Sequence, residues 1–193
     1  MLAQRLAREK SQQQVDALHL LLALLNQEDS LVFTLLKNLQ LDIDDLKRRT
    51  EKALNVLVTP KAPPAMGQFY LTQDLAAALE RAREEALQMA DEFIAVEHLF
   101  LGLLAVPSRA QDVLSGARFL SATILAPLTR DTILKKLKEI RGGEKVTDPD
   151  PESKFEVIKK YSRNLTEMAR EGKLDPVVGR ETEIRRLDRK SVV

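Results

Sequence analysis

The chain has 193 residues, with 30 Lys+Arg against 29 Asp+Glu and a formal charge of +1, so no global basic field points to nucleic acid. It contains no cysteine, which excludes a disulfide framework, a Cys-ligated metal site and a thiol nucleophile. Seven glycines, 4% aromatics and 31% charged residues in a leucine-rich chain favour helices over strands. No stretch approaches the ~18 uninterrupted apolar residues of a membrane span. Residues 1–10 are charged throughout and lack the apolar core of a signal peptide. The expectation is a soluble, cytoplasmic, mostly α-helical protein with no nucleic-acid or membrane partner.

In chain order, the first pattern is a duplication. Residues 15–25 read VDALHLLLALL, and 79 positions later residues 94–104 read IAVEHLFLGLL. The two histidines of the sequence, His19 and His98, fall at the same place in both copies. Ala7 matches Ala86 upstream, and Leu35 matches Leu114 downstream. Each copy predicts a short apolar entry, a cap, then a Leu-rich helix. Between the copies, residues 58–67 carry Pro60, Pro63 and Pro64, which cannot continue a helix and mark a connector.

Copy two opens with a helix from Thr72, its expected N-cap, to about Ala90. Its apolar stripe is Leu75, Ala78, Leu79, Ala82, Ala86 and Met89. The same helix in copy one would begin before Met1, so it is expected to be short by about two turns at ~3.6 residues each. Residues 115–130 are longer than their counterpart and include Pro127. A helix over about 132–140 then stops at Gly142 and Gly143. Residues 144–153 form a polar, Pro-interrupted linker. Charge shifts there, from −3 over residues 1–153 to +4 over residues 154–193.

Little chemistry is available. His19 and His98 sit in the first turn of a Leu-rich helix, where a capping and packing role is the plain expectation, and no second histidine at helical spacing supports zinc. Glu84 with Glu85, and Asp44 with Asp45, read as solvated helix faces. A phosphate-cradling G-x-x-x-x-G-K-[ST] loop is absent: Gly172 precedes Lys173, but Glu167 stands where the partner glycine belongs. No G-x-G-x-x-G occurs either. No catalytic residue and no metal ligand is assigned, and the chain on its own is expected neither to hydrolyse ATP nor to carry a cofactor.

The duplication, the linker and the run from Leu165-Thr166 through Gly172, Leu174-Asp175-Pro176-Val177-Val178-Gly179-Arg180 to Ile184-Arg185-Arg186 resemble the Clp family of AAA+ protein unfoldases. The combination of Glu139–Gly143 with Ile158–Tyr161 is closer to the ClpB type than to the protease-coupled ClpA or ClpC types. The resemblance implies an all-α fold: a duplicated four-helix Clp N-terminal repeat domain over 1–143, with repeats at about 1–57 and 68–143. A linker at 144–153 and the truncated beginning of an α/β AAA+ module at 154–193 would follow. It implies that Asp175, Pro176, Val177, Val178, Gly179 and Arg180 strap the adenine of ATP, an incomplete site here, with ATP and Mg²⁺ bound in a full-length, homo-hexameric parent.

The repeat domain would recruit unfolded or aggregated polypeptides, or adaptor proteins, through an apolar groove. Asp91 and Glu97 occupy acidic positions at that groove's edge, while Arg81 and Glu85 stand where some relatives carry leucine. From Leu187 the sequence departs from the apolar helix expected there and reads as a truncation or a shifted frame. The rival expectations are a free-standing helical protein-binding module, or the N-terminal part of a ClpA/ClpC-type protease-associated unfoldase.

Overall fold

The structure is a computed structural model that describes residues 2–57, 69–117, 128–141, 146–147 and 172. The chain divides into two compact units, Met1–Glu156 and Val157–Val193. Of the second, Gly172 is described; its φ of +67° lies in the left-handed region that glycine enters at little cost. The connector at 58–67, Pro127, Gly142, Gly143 and the adenine-strap residues 175–180 lie outside the described residues.

Among the described residues the first unit is all-α apart from one minimal strand pair. Its elements are α1 (Leu2–Glu9), β1 (Gln14–Val15), α2 (Ala17–Asn26), α3 (Leu31–Asn38), α4 (Ile43–Val56), β2 (Tyr70–Leu71), α5 (Gln73–Gln88), α6 (Val96–Ala105), α7 (Arg109–Ser115) and α8 (Arg130–Arg141). Helices α1–α4 and α5–α8 repeat one four-helix plan. Helix α6 follows α2 by 79 residues at both ends, and both have 10 residues. Ile43 and Arg130, which open α4 and α8, are 87 apart, so the extra residues of copy two fall between α7 and α8. Helix α1 has 8 residues against 16 in α5, the two-turn deficit that the sequence register predicts.

Helices α2 and α6 are apolar nearly all round, and such helices must be enclosed. Each touches helices of both repeats. Leu18, Leu21, Leu25, Phe100, Leu101 and Leu103 are each at most 1% exposed, in a single cluster that also takes Leu35, Leu46, Leu54 and Ile133. Gly102 lets α6 approach α5: a Cβ there would strike the Ala78 carbonyl oxygen and lie 3.0 Å from the Ala82 nitrogen.

The polar residues at the helix ends explain where the helices begin and stop. Thr72 caps α5 as expected, its hydroxyl accepting from Leu75 N, and Ser30, Asp42 and Ser108 cap α3, α4 and α7 in the same way. Helix α5 stops two residues short of Ala90 because Ala90 turns left-handed, with φ +56°. Ala90 N then donates to Leu87 O and Asp91 N to Ala86 O, the reverse pair of a Schellman stop. Ser11, at the equivalent place in copy one, does the same with φ +54°. Neither residue is glycine, so each stop holds backbone strain.

The strand pair was not foreseen. β1 and β2 run parallel, Gln14 opposite Tyr70 and Val15 opposite Leu71, with Tyr70 N donating to Gln13 O and Thr72 N to Val15 O. Two residues per strand are too few for period-2 patterning to register.

Two substitutions check this packing. Gly102→Ala should lower unfolding free energy by about 2 kcal/mol in urea denaturation, because backbone, not a flexible side chain, stands in the way. Ala90→Gly should raise it by about 1 kcal/mol by relieving the left-handed conformation.

Candidate functional site

The Schellman stop of α5 delivers Asp91 into the interior, where its side chain is 1% exposed. Helix α6 begins five residues later and brings Glu97 and His98 to the same place. Arg141, the last residue of α8, completes the cluster. Its Nη1 donates to Asp91 Oδ2 at 2.9 Å and its Nη2 to Oδ1 at 3.0 Å, a two-pronged fit of guanidinium to carboxylate. Arg141 Nη1 also lies 3.5 Å from Glu97 Oε1. Val146 N donates to Asp91 Oδ1 at 2.7 Å, and Val146 O accepts from Glu92 N at 2.9 Å.

The histidine tautomers follow from these bonds. His98 Nδ1 accepts the Ala95 backbone N–H at 2.9 Å, so its proton sits on Nε2, which donates to Asp91 Oδ2 at 3.0 Å. His19 accepts from Asp16 N in the same way, and the Asp16 carboxylate in turn accepts from Leu18 N. Both histidines cap their helices and pack inside. Burial, ahead of every other influence, pushes the His19 imidazole below its usual range and keeps it neutral.

Burial by itself would raise the Asp91 carboxyl, but the hydrogen bonds from Arg141 and Val146 N and the Arg141 charge outweigh it and hold its pKa below the usual range. For Glu97 burial wins, and its pKa is raised despite its backbone hydrogen bond and the Arg141 charge. One guanidinium therefore serves two carboxylates unequally.

A second clamp fixes the other end of α8. Glu85, expected on a solvated face, is 0% exposed, and Arg130 grips it with Nε at 2.8 Å from Oε1 and Nη2 at 2.7 Å from Oε2. Arg81 Nη2 lies 3.5 Å from Glu85 Oε1. The positions that read as lost groove leucines thus form an ion-paired cluster. Asp45 is likewise buried and paired with Arg48, whereas Asp44 is exposed as expected.

Asp91 and Glu97, the acidic pair singled out from sequence, are brought together, but beneath the surface. Exposed next to them in the chain are the apolar Leu87 at 64%, Phe93 at 39% and Ile94 at 47%, together with the acidic Glu92. Sequence reasoning missed both arginine clamps, which span 45 and 50 residues. The repeat register held the signal: Arg130 and Arg141 replace Ile43 and Leu54, and Glu85 and Glu97 replace Leu6 and Leu18. No group of three or more metal-ligating side chains occurs among the described residues. Nor is any helix there long and apolar enough to cross a membrane.

The family model of the Clp repeat (R) N-terminal domain matches residues 1–117. The chain belongs to the Clp repeat N-terminal domain family. It is 37% identical over 190 residues to the chaperone protein ClpB of Bacillus cereus, covering 98% of this chain and 21% of that protein. It is 39% identical over 189 residues to ClpB of Nitratidesulfovibrio vulgaris, covering 97% and 21%. The chain thus spans about a fifth of the length of these curated relatives. Among solved structures, the Hsp104 N-terminal domain from Candida albicans shares the Clp repeat fold. It matches with a TM-score of 0.61 and 23% identity over 77% of this chain and 89% of that one.

The clamp makes pH predictions. Asp91 binds its proton more weakly folded than unfolded, so its stabilisation is complete above the usual aspartate range and fades as pH falls through its depressed value. Glu97 runs the other way: ionising it costs stability above the usual glutamate range, and acidification relieves that cost. Acidification toward the usual glutamate range should therefore relieve the cost of ionising Glu97, and Glu97→Gln should remove that contribution from the pH dependence of thermal melts. Asp91→Ala should cost about 3 kcal/mol at pH 7, because it strands Arg141, which is 11% exposed, without its main partner.

Proposed function

We propose that this chain is the polypeptide-recruiting N-terminal part of a ClpB-type, ATP-driven protein disaggregase. The observation that carries the reading is the uncovered apolar set at the α5–α6 connection, Leu87, Phe93 and Ile94, standing on the rigid ionic platform of Asp91, Glu97 and Arg141. Unfolded segments are recognised through exposed apolar surface beside a polar rim, and a buried clamp keeps such a surface from collapsing inward. In this reading Asp91 and Glu97 are positioning residues that hold the connection in place. Kinship with ClpB chaperones supports a protein client.

The further parts of the reading concern the rest of such a protein. Residues 175–180 would strap the adenine, and the phosphate-binding and Mg²⁺-binding groups would come from beyond the 193 residues, in a hexameric ring. This chain itself would hold clients without hydrolysing ATP.

Binding of reduced, carboxymethylated α-lactalbumin to the full chain, followed by fluorescence anisotropy, tests the proposal. The double variant Phe93→Ser/Ile94→Ser should weaken binding about tenfold with an unchanged melting temperature, since two half-buried apolar side chains contribute roughly 1 kcal/mol or less each on burial. Undiminished binding by that variant would refute the assignment of this surface.

A further inference from the structure

We propose that residues 91–94 form an acceptor edge for an extended polypeptide segment carrying a basic side chain, and that Val146 is an internal strap occupying the start of that edge. This rests on the recruiting function proposed above and adds to it a ligand conformation, a charge and a control.

The duplication supplies the first argument. In repeat one, the backbone of Gln13–Val15 carries an added parallel strand: Gln13 O accepts from Tyr70 N and Val15 O from Thr72 N. The same backbone in repeat two is Glu92–Ile94, 79 residues on. Glu92, the counterpart of Gln13, is bonded through its N–H to Val146 O, while Val146 N is bonded to Asp91 Oδ1. Val146 thus gives its carbonyl to the Glu92 backbone and its amide to the Asp91 carboxylate, occupying the backbone position that opens the edge. Past Val146, no strand is paired to Phe93 or Ile94 among the described residues, and both side chains are exposed.

Charge supplies the second argument. Asp91 and Glu97 share Arg141, and Glu92 beside them is exposed. The edge is therefore acidic, and a basic side chain on the incoming segment complements it. The fold does not require this charge. At the equivalent positions of repeat one stand Gln12, Leu18 and Leu54, all buried in an intact four-helix unit. The third argument is placement: Val146 follows α8, whose last residue Arg141 also grips Asp91, so a client that takes over the Val146 hydrogen bonds competes at the same carboxylate.

The test uses the full chain and a labelled peptide of alternating valine and arginine. Val146→Pro removes the N–H that Asp91 accepts while leaving every charge in place. It should bind the peptide about tenfold more tightly than wild type. Because the chain has no native cysteine, the pair Glu92→Cys/Val146→Cys locks the strap by oxidation alone. The oxidised form should bind about tenfold more weakly than the same protein reduced, with melting temperatures confirming that both are folded. Equal affinity of oxidised and reduced forms, or no gain in Val146→Pro, overturns the strap. If α-lactalbumin binding still depends on Phe93 and Ile94 in that event, the recruiting surface stands and the strap alone falls. If no form of the protein binds either polypeptide, both fall.

Discussion

The carboxylate of Asp91 is the fixed point of the second repeat. It is buried, it accepts four hydrogen bonds, and it draws on three separate parts of the chain: α6 through His98, α8 through Arg141, and the segment after α8 through Val146. A buried anion is tolerable only when paired, and the two-pronged Arg141 guanidinium supplies the opposite charge while His98 and Val146 add neutral donors. The Schellman stop of α5 places Asp91, Asp91 places α8 and Val146, and the exposed apolar connection is what remains between them. Strain at Ala90 is thus part of how the site is aimed.

The duplication provides an internal control for this view. Both repeats share the four-helix plan, the histidine cap and the left-handed stop at Ser11 or Ala90. They differ in what fastens the fourth helix. In repeat one, Ile43, Leu46 and Leu54 of α4 pack against the common core. In repeat two, only Ile133 and Leu137 of α8 are buried, and arginines at its first and last residues grip Glu85 and Asp91. Apolar contact is non-directional, whereas paired guanidinium and carboxylate fix an orientation. Helix α8 and the connection between α5 and α6 are accordingly held in a defined geometry, which the proposed binding surface needs.

Much of this was legible from sequence, and the reasons are physical. Thr72 as a cap, the apolar stripe of α5, the Leu-rich central helices and the shortened α1 follow from local periodicity and repeat register. The buried state of Glu85, Asp91 and Glu97 did not, because burial of a carboxylate depends on a partner 45 or 50 residues away. A position-by-position comparison of the two copies would have shown charge entering at matched sites, Arg130 for Ile43 and Arg141 for Leu54. The β1–β2 pair escaped because its information lies in backbone bonds, which side-chain patterns do not encode over two residues.

Amide hydrogen exchange on the full chain, with and without an unfolded polypeptide, is the most direct measurement. If the connection between α5 and α6 is the recruiting edge, Ile94 gains protection on binding while Val146 exchanges faster as its bond to Asp91 is surrendered. Protection arising elsewhere, with Ile94 and Val146 unchanged, would contradict the account.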